Sequence, residues 1–320
     1  MDPIVKKLGD FGLVPVIKID DVKDAVPLAK ALCDGGLPVA EVTFRTAAAK
    51  EAIAAMTAAF PDMLVGAGTV LNAAQVDEAL AAGSKFIVSP GLNPNTVRYC
   101  QEKGVPILPG CATPSDMERA IELGLDVVKF FPAEANGGLA SIKAMAAPYV
   151  GLKFMPTGGV NEKNLVDYLR FPKILACGGS FMVNDKLIKE GNFEAITELT
   201  RNAVRLMLDF KLAHVGINAA NEEEARKGAA MFEMLFGFTA KEGNSSIFNG
   251  TEVELMKSPY LGKNGHIAIS TNSVDRAVAF FERKGVAFNP DSAKYDAKNS
   301  LKAIYFADEI CGFAVHLVQK

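Results

Sequence analysis

The sequence predicts a (β/α)8 barrel followed by a smaller α+β domain of two βαβββ halves. Three observations carry this. Short apolar runs, each trailed by an alanine-rich stretch of helical period, recur eight times over the first two-thirds at spacings of roughly 20 to 27 residues. The pattern changes after about residue 211. The remainder then repeats itself, with 212–238 paralleling 265–288 as strand with histidine, helix and turn at glycine. Domains are therefore expected at 1–211 and 212–320.

Taken in order, the barrel strands are expected in LVPVIKI (13–19), VAEVTF (39–44), MLVGAGTV (63–70), KFIVS (85–89), VPILPG (105–110), DVVKFF (126–131), LKFMPTG (152–158) and KILACGG (173–179). Stretches such as DAVPLAKALCDGG and NAAQVDEALAAG supply the helices between them, and a long helix over 192–210 closes the region. An open, doubly wound sheet is the competing arrangement. It seldom has eight such even units, and no GxGxxG opens the first βα turn, as a dinucleotide site would need. In the final third, EVELMK (252–257) and FAVHLVQ (313–319) read as the closing strands of the two halves.

Composition narrows the partners. Of 320 residues 49% are apolar, enough for two cores. A net charge of −3 without a basic run argues against nucleic acid. Five scattered cysteines with no CxxC pairing suggest reduced thiols in the cytoplasm. The N-terminus carries no apolar signal core, and no apolar run of about 18 residues offers a membrane span. A soluble, cytoplasmic protein is the expectation.

The chemistry begins at Lys129, which interrupts the apolar run LDVVKFFP (125–132). Burying an ammonium is costly. Desolvation disfavours the charged form of an amine, and an uncharged amine attacks carbonyls. An edge-strand lysine reaching water is the alternative. Period 2 places Val39, Glu41, Thr43 and Arg45 on one face of the second strand, and Val127, Lys129 and Phe131 on one face of the sixth. These strands are opposite in an eight-stranded barrel, so the two polar faces can meet in the lumen. A charge pair that merely fills the barrel would satisfy the same pattern. The last two strands end in Thr157-Gly158-Gly159 and Gly178-Gly179-Ser180. Loops at this place commonly bind phosphate through backbone amides, although many turns require glycine for other reasons.

With these residues in view, the first region resembles the 2-keto-3-deoxy-6-phosphogluconate and 4-hydroxy-2-oxoglutarate aldolases, which are Schiff-base (class I) enzymes. The resemblance covers about residues 1–211 and rests on EVTFRT (41–46), VGAGTVLN (65–72), SPGL (89–92), KFFPAEANGG (129–138), PTGG (156–159) and GGS (178–180). It implies that Lys129 forms the imine with a 2-keto acid and Glu41 moves protons. Arg45 and Thr69 would hold the carboxylate, and Phe131 and Pro90 would wall the reacting centre. Gly158, Gly159, Gly179 and Ser180 would receive a distal phosphate, with Thr157 beside them. No cofactor is implied for this chemistry, and a homotrimer is. Lys18 departs from the family pattern; it either touches the distal end of the substrate or extends into solvent. A sugar-acid-binding barrel without catalysis is the reading from another class. Retention of Glu41, Lys129 and Arg45 together argues against it.

All three histidines lie in the final third: His214, His266 and His316, separated by 52 and 50 residues. Each sits in a strand-like run. This region resembles the glyoxalase/bleomycin-resistance/dioxygenase (vicinal oxygen chelate) superfamily. That resemblance implies four metal ligands, His214, Glu254, His266 and His316, of which His316 departs from the more usual glutamate. Such a set suits zinc, iron, nickel or manganese. Strand histidines that merely complete a core are the plain alternative, and Glu252 competes with Glu254 for register. A separate metal-dependent activity on a related keto acid, a ligand-binding module and an oligomerisation domain all stay open.

Overall fold

The computed structural model describes residues 1–320. The chain divides into two compact units, Met1–Met207 and Leu208–Lys320. No helix is long and apolar enough to cross a membrane.

The first unit opens with a helix the strand-helix repeat does not include, α1 (Pro3–Phe11). Asp2 caps its N-terminus, accepting from the Ile4 and Val5 amides at 2.7 and 3.3 Å, and Gly12 ends it in the left-handed conformation. Eight parallel strands follow: β1 (Leu13–Ile17), β2 (Val39–Thr43), β3 (Leu64–Gly68), β4 (Ile87–Ser89), β5 (Ile107–Cys111), β6 (Val127–Phe130), β7 (Lys153–Pro156) and β8 (Cys177–Gly179). They alternate with α2 (Ala25–Asp34), α3 (Ala49–Ala59), α4 (Ala73–Ala81), α5 (Pro94–Glu102), α6 (Pro114–Glu122), α7 (Gly138–Ala146) and α8 (Leu165–Arg170). Two helices end the unit, α9 (Asp185–Lys189) and α10 (Phe193–Leu208). The strand order is β7-β6-β5-β4-β3-β2-β1-β8, and bridges Phe154–Ile174 and Thr157–Gly178 close the ring. This is the expected TIM-like barrel. Strands and helices run one to four residues shorter than the apolar runs, because turns take the flanking residues; α10, for instance, spans less than 192–210.

The core follows from the repeat. The helices turn buried Ala, Leu, Ile and Met faces onto strands that are almost wholly buried. Removing each large aliphatic side chain from water contributes about 1.5–3 kcal/mol. Because every barrel strand is parallel to its neighbours, all eight C-terminal ends share one rim.

The second unit holds β9 (Lys211–Asn218), α11 (Glu222–Phe236), β10 (Ala240–Glu242), β11 (Ser246–Asn249) and β12 (Val253–Met256). It then repeats the arrangement with β13 (His266–Thr271), α12 (Val274–Glu282), β14 (Phe288–Tyr295), β15 (Leu301–Phe306) and β16 (Ala314–Gln319). These are the two βαβββ halves. They join in one mixed sheet of order β10-β11-β12-β9-β13-β16-β15-β14. Ala225, Ala229, Ile247 and Leu255 form the core beneath α11, with Phe232 and Val253 against it. The opposite sheet face is left for polar groups.

Candidate active site

Lys129 on β6 and Glu41 on β2 meet as expected. The lysine Nζ lies 3.3 Å from Glu41 Oε1, with Lys129 5% exposed and Glu41 wholly enclosed. Lys129 is therefore no edge lysine. Its neighbours in register are Gly110 and Met155, and its Nζ sits 5.0 Å from the centre of the Phe131 ring. The second carboxylate oxygen, Glu41 Oε2, is buried and lacks a partner. An enclosed acceptor of that kind is costly unless something else comes to meet it.

Space for the carboxylate comes from Gly68, which the sequence reading passed over. A Cβ there would lie 2.2 Å from Glu41 Oε1 and 2.8 Å from its Cδ. The GAG run in β3 is the signal that could have marked it, since glycine within a strand often records close approach of another group.

Arg45 requires a correction. β2 ends at Thr43, so Arg45 stands in the following turn rather than on the strand face. Its amide donates to the Thr43 carbonyl at 2.8 Å, which turns the chain. Its Nε donates to Thr43 Oγ1 at 3.0 Å, and Thr43 Oγ1 in turn donates to the Ile17 carbonyl at 2.8 Å. This relay ties the guanidinium to the end of β1. Thr69, just beyond β3, adopts φ 58°. A β-branched residue in the left-handed region stores about 1–3 kcal/mol and marks a place where surrounding structure dictates the backbone.

The remaining residues follow other strand ends on the same rim. Pro90 follows β4 and Phe131 follows β6, the latter joined to Pro132 by a cis peptide bond. Thr157 follows β7, pairs with Gly178, and leaves its buried Oγ1 without a partner. Gly158 and Gly159 have φ 96° and 87°. Gly179 ends β8 opposite Pro15 of β1, and exposed Ser180 comes next. Lys18 is partly exposed: its Nζ pairs with Asp20 Oδ1 at 2.7 Å, and Asp20 Oδ2 also faces Lys189 at 3.4 Å.

A second cluster forms on the polar face of the other unit. Strands β12, β9, β13 and β16 are consecutive neighbours and carry Glu254, His214, His266 and His316. His214 Nε2 and His266 Nε2 are 3.2 Å apart, and Glu254 Oε2 lies 3.3 and 3.0 Å from them. The three histidines each offer a ring nitrogen within 4.8 Å of the others. Glu252 lies outside this group, its carboxylate bound to Thr251. Gly216 makes the room: a Cβ there would lie 1.9 Å from the His266 ring. Ser246 Oγ donates to Glu254 Oε1 at 2.6 Å, and the Tyr305 ring stacks on His316 at 4.4 Å.

Two members of the cluster, Glu254 and His316, are held in the protonation states a cation ligand needs. Burial works to raise the Glu254 carboxyl, yet hydrogen bonds from His214, His266 and Ser246 hold it well below the usual carboxylate range. Burial pushes His316 down to about 3, with His266 and His214 adding to the effect, so its imidazole is neutral. Both ring nitrogens of His316 and Nδ1 of His266 are buried without partners. Ligand atoms around a cation at about 2.0–2.1 Å lie roughly 3.0–3.4 Å from one another, which matches the spacing of the Glu254, His214 and His266 atoms. The donor set fits a divalent metal.

Comparison with known proteins bears on the first unit. The family model described as KDPG and KHG aldolase matches residues 4–199. A 2-dehydro-3-deoxy-phosphogluconate aldolase of Treponema pallidum is 48% identical over 207 residues, covering 65% of this chain and 99% of that protein. A KHG/KDPG aldolase of Escherichia coli is 43% identical over 192 residues, or 60% of this chain and 90% of that one. Among solved structures, a KDPG aldolase of Legionella pneumophila with pyruvate captured as a covalent carbinolamine aligns with TM-score 0.61 and 39% identity, over 62% of this chain and 97% of that one. A match spanning this much of the sequence, set on a barrel with an enclosed lysine-carboxylate pair, shows that the chain belongs to the KDPG and KHG aldolase family.

Proposed function

We propose that residues 1–211 form a class I aldolase in which Lys129 is the imine-forming amine and Glu41 the proton carrier, cleaving 2-keto-3-deoxy-6-phosphogluconate and 4-hydroxy-2-oxoglutarate to pyruvate plus glyceraldehyde 3-phosphate or glyoxylate. The observation that carries this reading is the enclosed 3.3 Å contact between Lys129 Nζ and Glu41 Oε1. The amine adds to C2 of the keto acid, and loss of water leaves a protonated imine. A carboxylate at the C4 hydroxyl takes its proton as the C3–C4 bond breaks. The bonding electrons pass to the imine nitrogen as an enamine, and the aldehyde departs. The same carboxylate returns a proton to C3, and hydrolysis of the imine releases pyruvate. Oxaloacetate decarboxylation fits as a side activity, because it leaves the same enamine.

Arg45 suits the substrate carboxylate because its planar fork matches two oxygens, and Thr69 stands on the same rim. Phe131 and Pro90 would exclude water around the imine. The distal phosphate is assigned to Gly158, Gly159, Gly179 and Ser180, beside Thr157. A homotrimer working in the cytoplasm belongs to the same reading. Borohydride reduction in the presence of pyruvate should trap a covalent adduct on the native chain. Lys129→Ala should lose the adduct and lower cleavage by at least about 10⁴-fold. An adduct on that variant would overturn the assignment.

Residues 212–320 are proposed as a metal-bearing domain of the vicinal oxygen chelate type, with His214, Glu254, His266 and His316 as ligands to zinc, iron, nickel or manganese. A bound ion would supply Lewis-acid polarisation of a ligand oxygen. Glu254 is anionic, His316 is neutral, and Ser246 orients the carboxylate. Metal analysis of the purified protein, with His266→Ala as control, tests the ligand set; equal metal content in both would refute it.

A further inference from the structure

Behind the Gly158-Gly159 turn stands a pair of side chains, Glu134 and Tyr168, that the chemistry above does not use. Tyr168 is buried on α8, and its hydroxyl donates to Glu134 Oε1. Burial first, and then the facing carboxylate, hold the phenol far above its ordinary pKa, so this hydroxyl keeps its proton. Glu134 meets the turn twice. Its amide donates to the Gly158 carbonyl at 3.0 Å, directly after the Ala133 amide donates to Thr157 at 2.8 Å. Its side chain fills the space where a Cβ on Gly159 would be, 2.4 Å from Glu134 Cγ. From the other side, Asn161 and Asn164 donate to the Gly159 carbonyl at 2.9 and 3.1 Å. Both carbonyls of the turn are thus engaged by protein donors, and the parallel bridge between Thr157 and Gly178 turns the Gly158 amide toward the Gly178 carbonyl at the end of β8, whereas the Gly159 amide meets no protein acceptor. A turn held at these points, with the Gly159 amide left over, is preset for an anion.

We propose that the Tyr168-Glu134 pair is a positioning strut that fixes the Gly158-Gly159 turn and thereby sets preference for the phosphorylated over the unphosphorylated substrate. This rests on assigning the distal phosphate to that turn. Neither side chain of the strut bonds to Lys129 or Glu41, which pair with each other. Loss of the strut should therefore weaken capture of the phosphate end and leave bond cleavage at the far end alone.

The experiment compares KM and kcat for 2-keto-3-deoxy-6-phosphogluconate and 4-hydroxy-2-oxoglutarate. In Tyr168→Phe and Glu134→Ala, KM for the phosphorylated substrate should rise on the order of 10-fold, with kcat within about twofold and both constants for the unphosphorylated substrate within about twofold. Glu134→Gln, which retains an oxygen to accept from the phenol, should restore most of the loss. Equal changes on both substrates, or no change on either, would overturn the strut. Gly159→Ala separates the two layers of inference. If it selectively raises KM for the phosphorylated substrate while the strut variants do not, the phosphate assignment stands and the strut falls. If it affects both substrates alike, the assignment itself fails, and the strut with it.

Discussion

The two polar centres of this chain solve the cost of burial in different ways. In the barrel, Lys129 and Glu41 are opposite charges brought from strands across the lumen, 88 residues apart, and each is the other's ion-pair partner. In the second unit, Glu254 answers two imidazoles and a hydroxyl, while neutral His316 stands with both ring nitrogens unpartnered. A buried pair in which one member is an amine can exchange a proton and release the amine for covalent work. A cluster of imidazoles around a carboxylate has no comparable nucleophile, and its lone pairs converge as a cation requires. Both centres depend on a glycine in a neighbouring strand, Gly68 for the carboxylate and Gly216 for the imidazole.

That contrast can be broken in graded steps. Glu41→Gln should cut aldol cleavage by about 10²–10⁴-fold, as expected for loss of an acid-base group, yet still permit slow pyruvate trapping by borohydride. Trapping and cleavage lost in equal measure would mean the carboxylate serves only to seat the amine. Gly68→Ala drives a methyl into the same carboxylate. Displacing it by an ångström should cost on the order of 10²-fold in kcat. Steady-state kinetics at wild-type level would show that the glycine is incidental.

In the second unit, Gly216→Ala should weaken metal binding by more than about 100-fold, because the new methyl occupies the place of the His266 ring; titration calorimetry reads this directly. Treating the native chain with a chelator should leave pyruvate release unchanged, since imine chemistry needs no metal. The smallest effect is expected from Thr113→Ala at the start of α6. There Thr113 Oγ1 accepts from the Asp116 amide at 3.3 Å, and the Asp116 carboxylate accepts from the Thr113 amide at 2.9 Å. Losing this box should lower stability by about 1 kcal/mol, visible as a lower midpoint in urea, with cleavage and metal content preserved.

Much of the barrel site was legible beforehand because period 2 and strand order leave few alternatives. Once Glu41 and Lys129 fall on lumen faces of strands two and six, an eight-membered ring makes them opposite. Arg45 was misplaced for a local reason. Period counting continued past Thr43, whereas the Phe44 amide makes the last rung to Gly68 and the Arg45 amide then turns the chain back onto the Thr43 carbonyl. Lys18 could not be placed from the sequence, because its partner Asp20 competes with any ligand at short range. Glu134 and Tyr168 were invisible for another reason: they are 34 residues apart, and only the packing of the 132–138 turn against 157–159 brings them together.

By itself the sequence determined the strand-helix repeat, the two-half plan of the final third and the residue types that could do chemistry, since these follow from periodicity and from what is costly to bury. The tertiary structure decided which polar atoms touch and which are left bare. It also decided which glycines give them room. Those matters depend on distances of a few ångströms between strands far apart in the chain, and a one-dimensional pattern carries no measure of them.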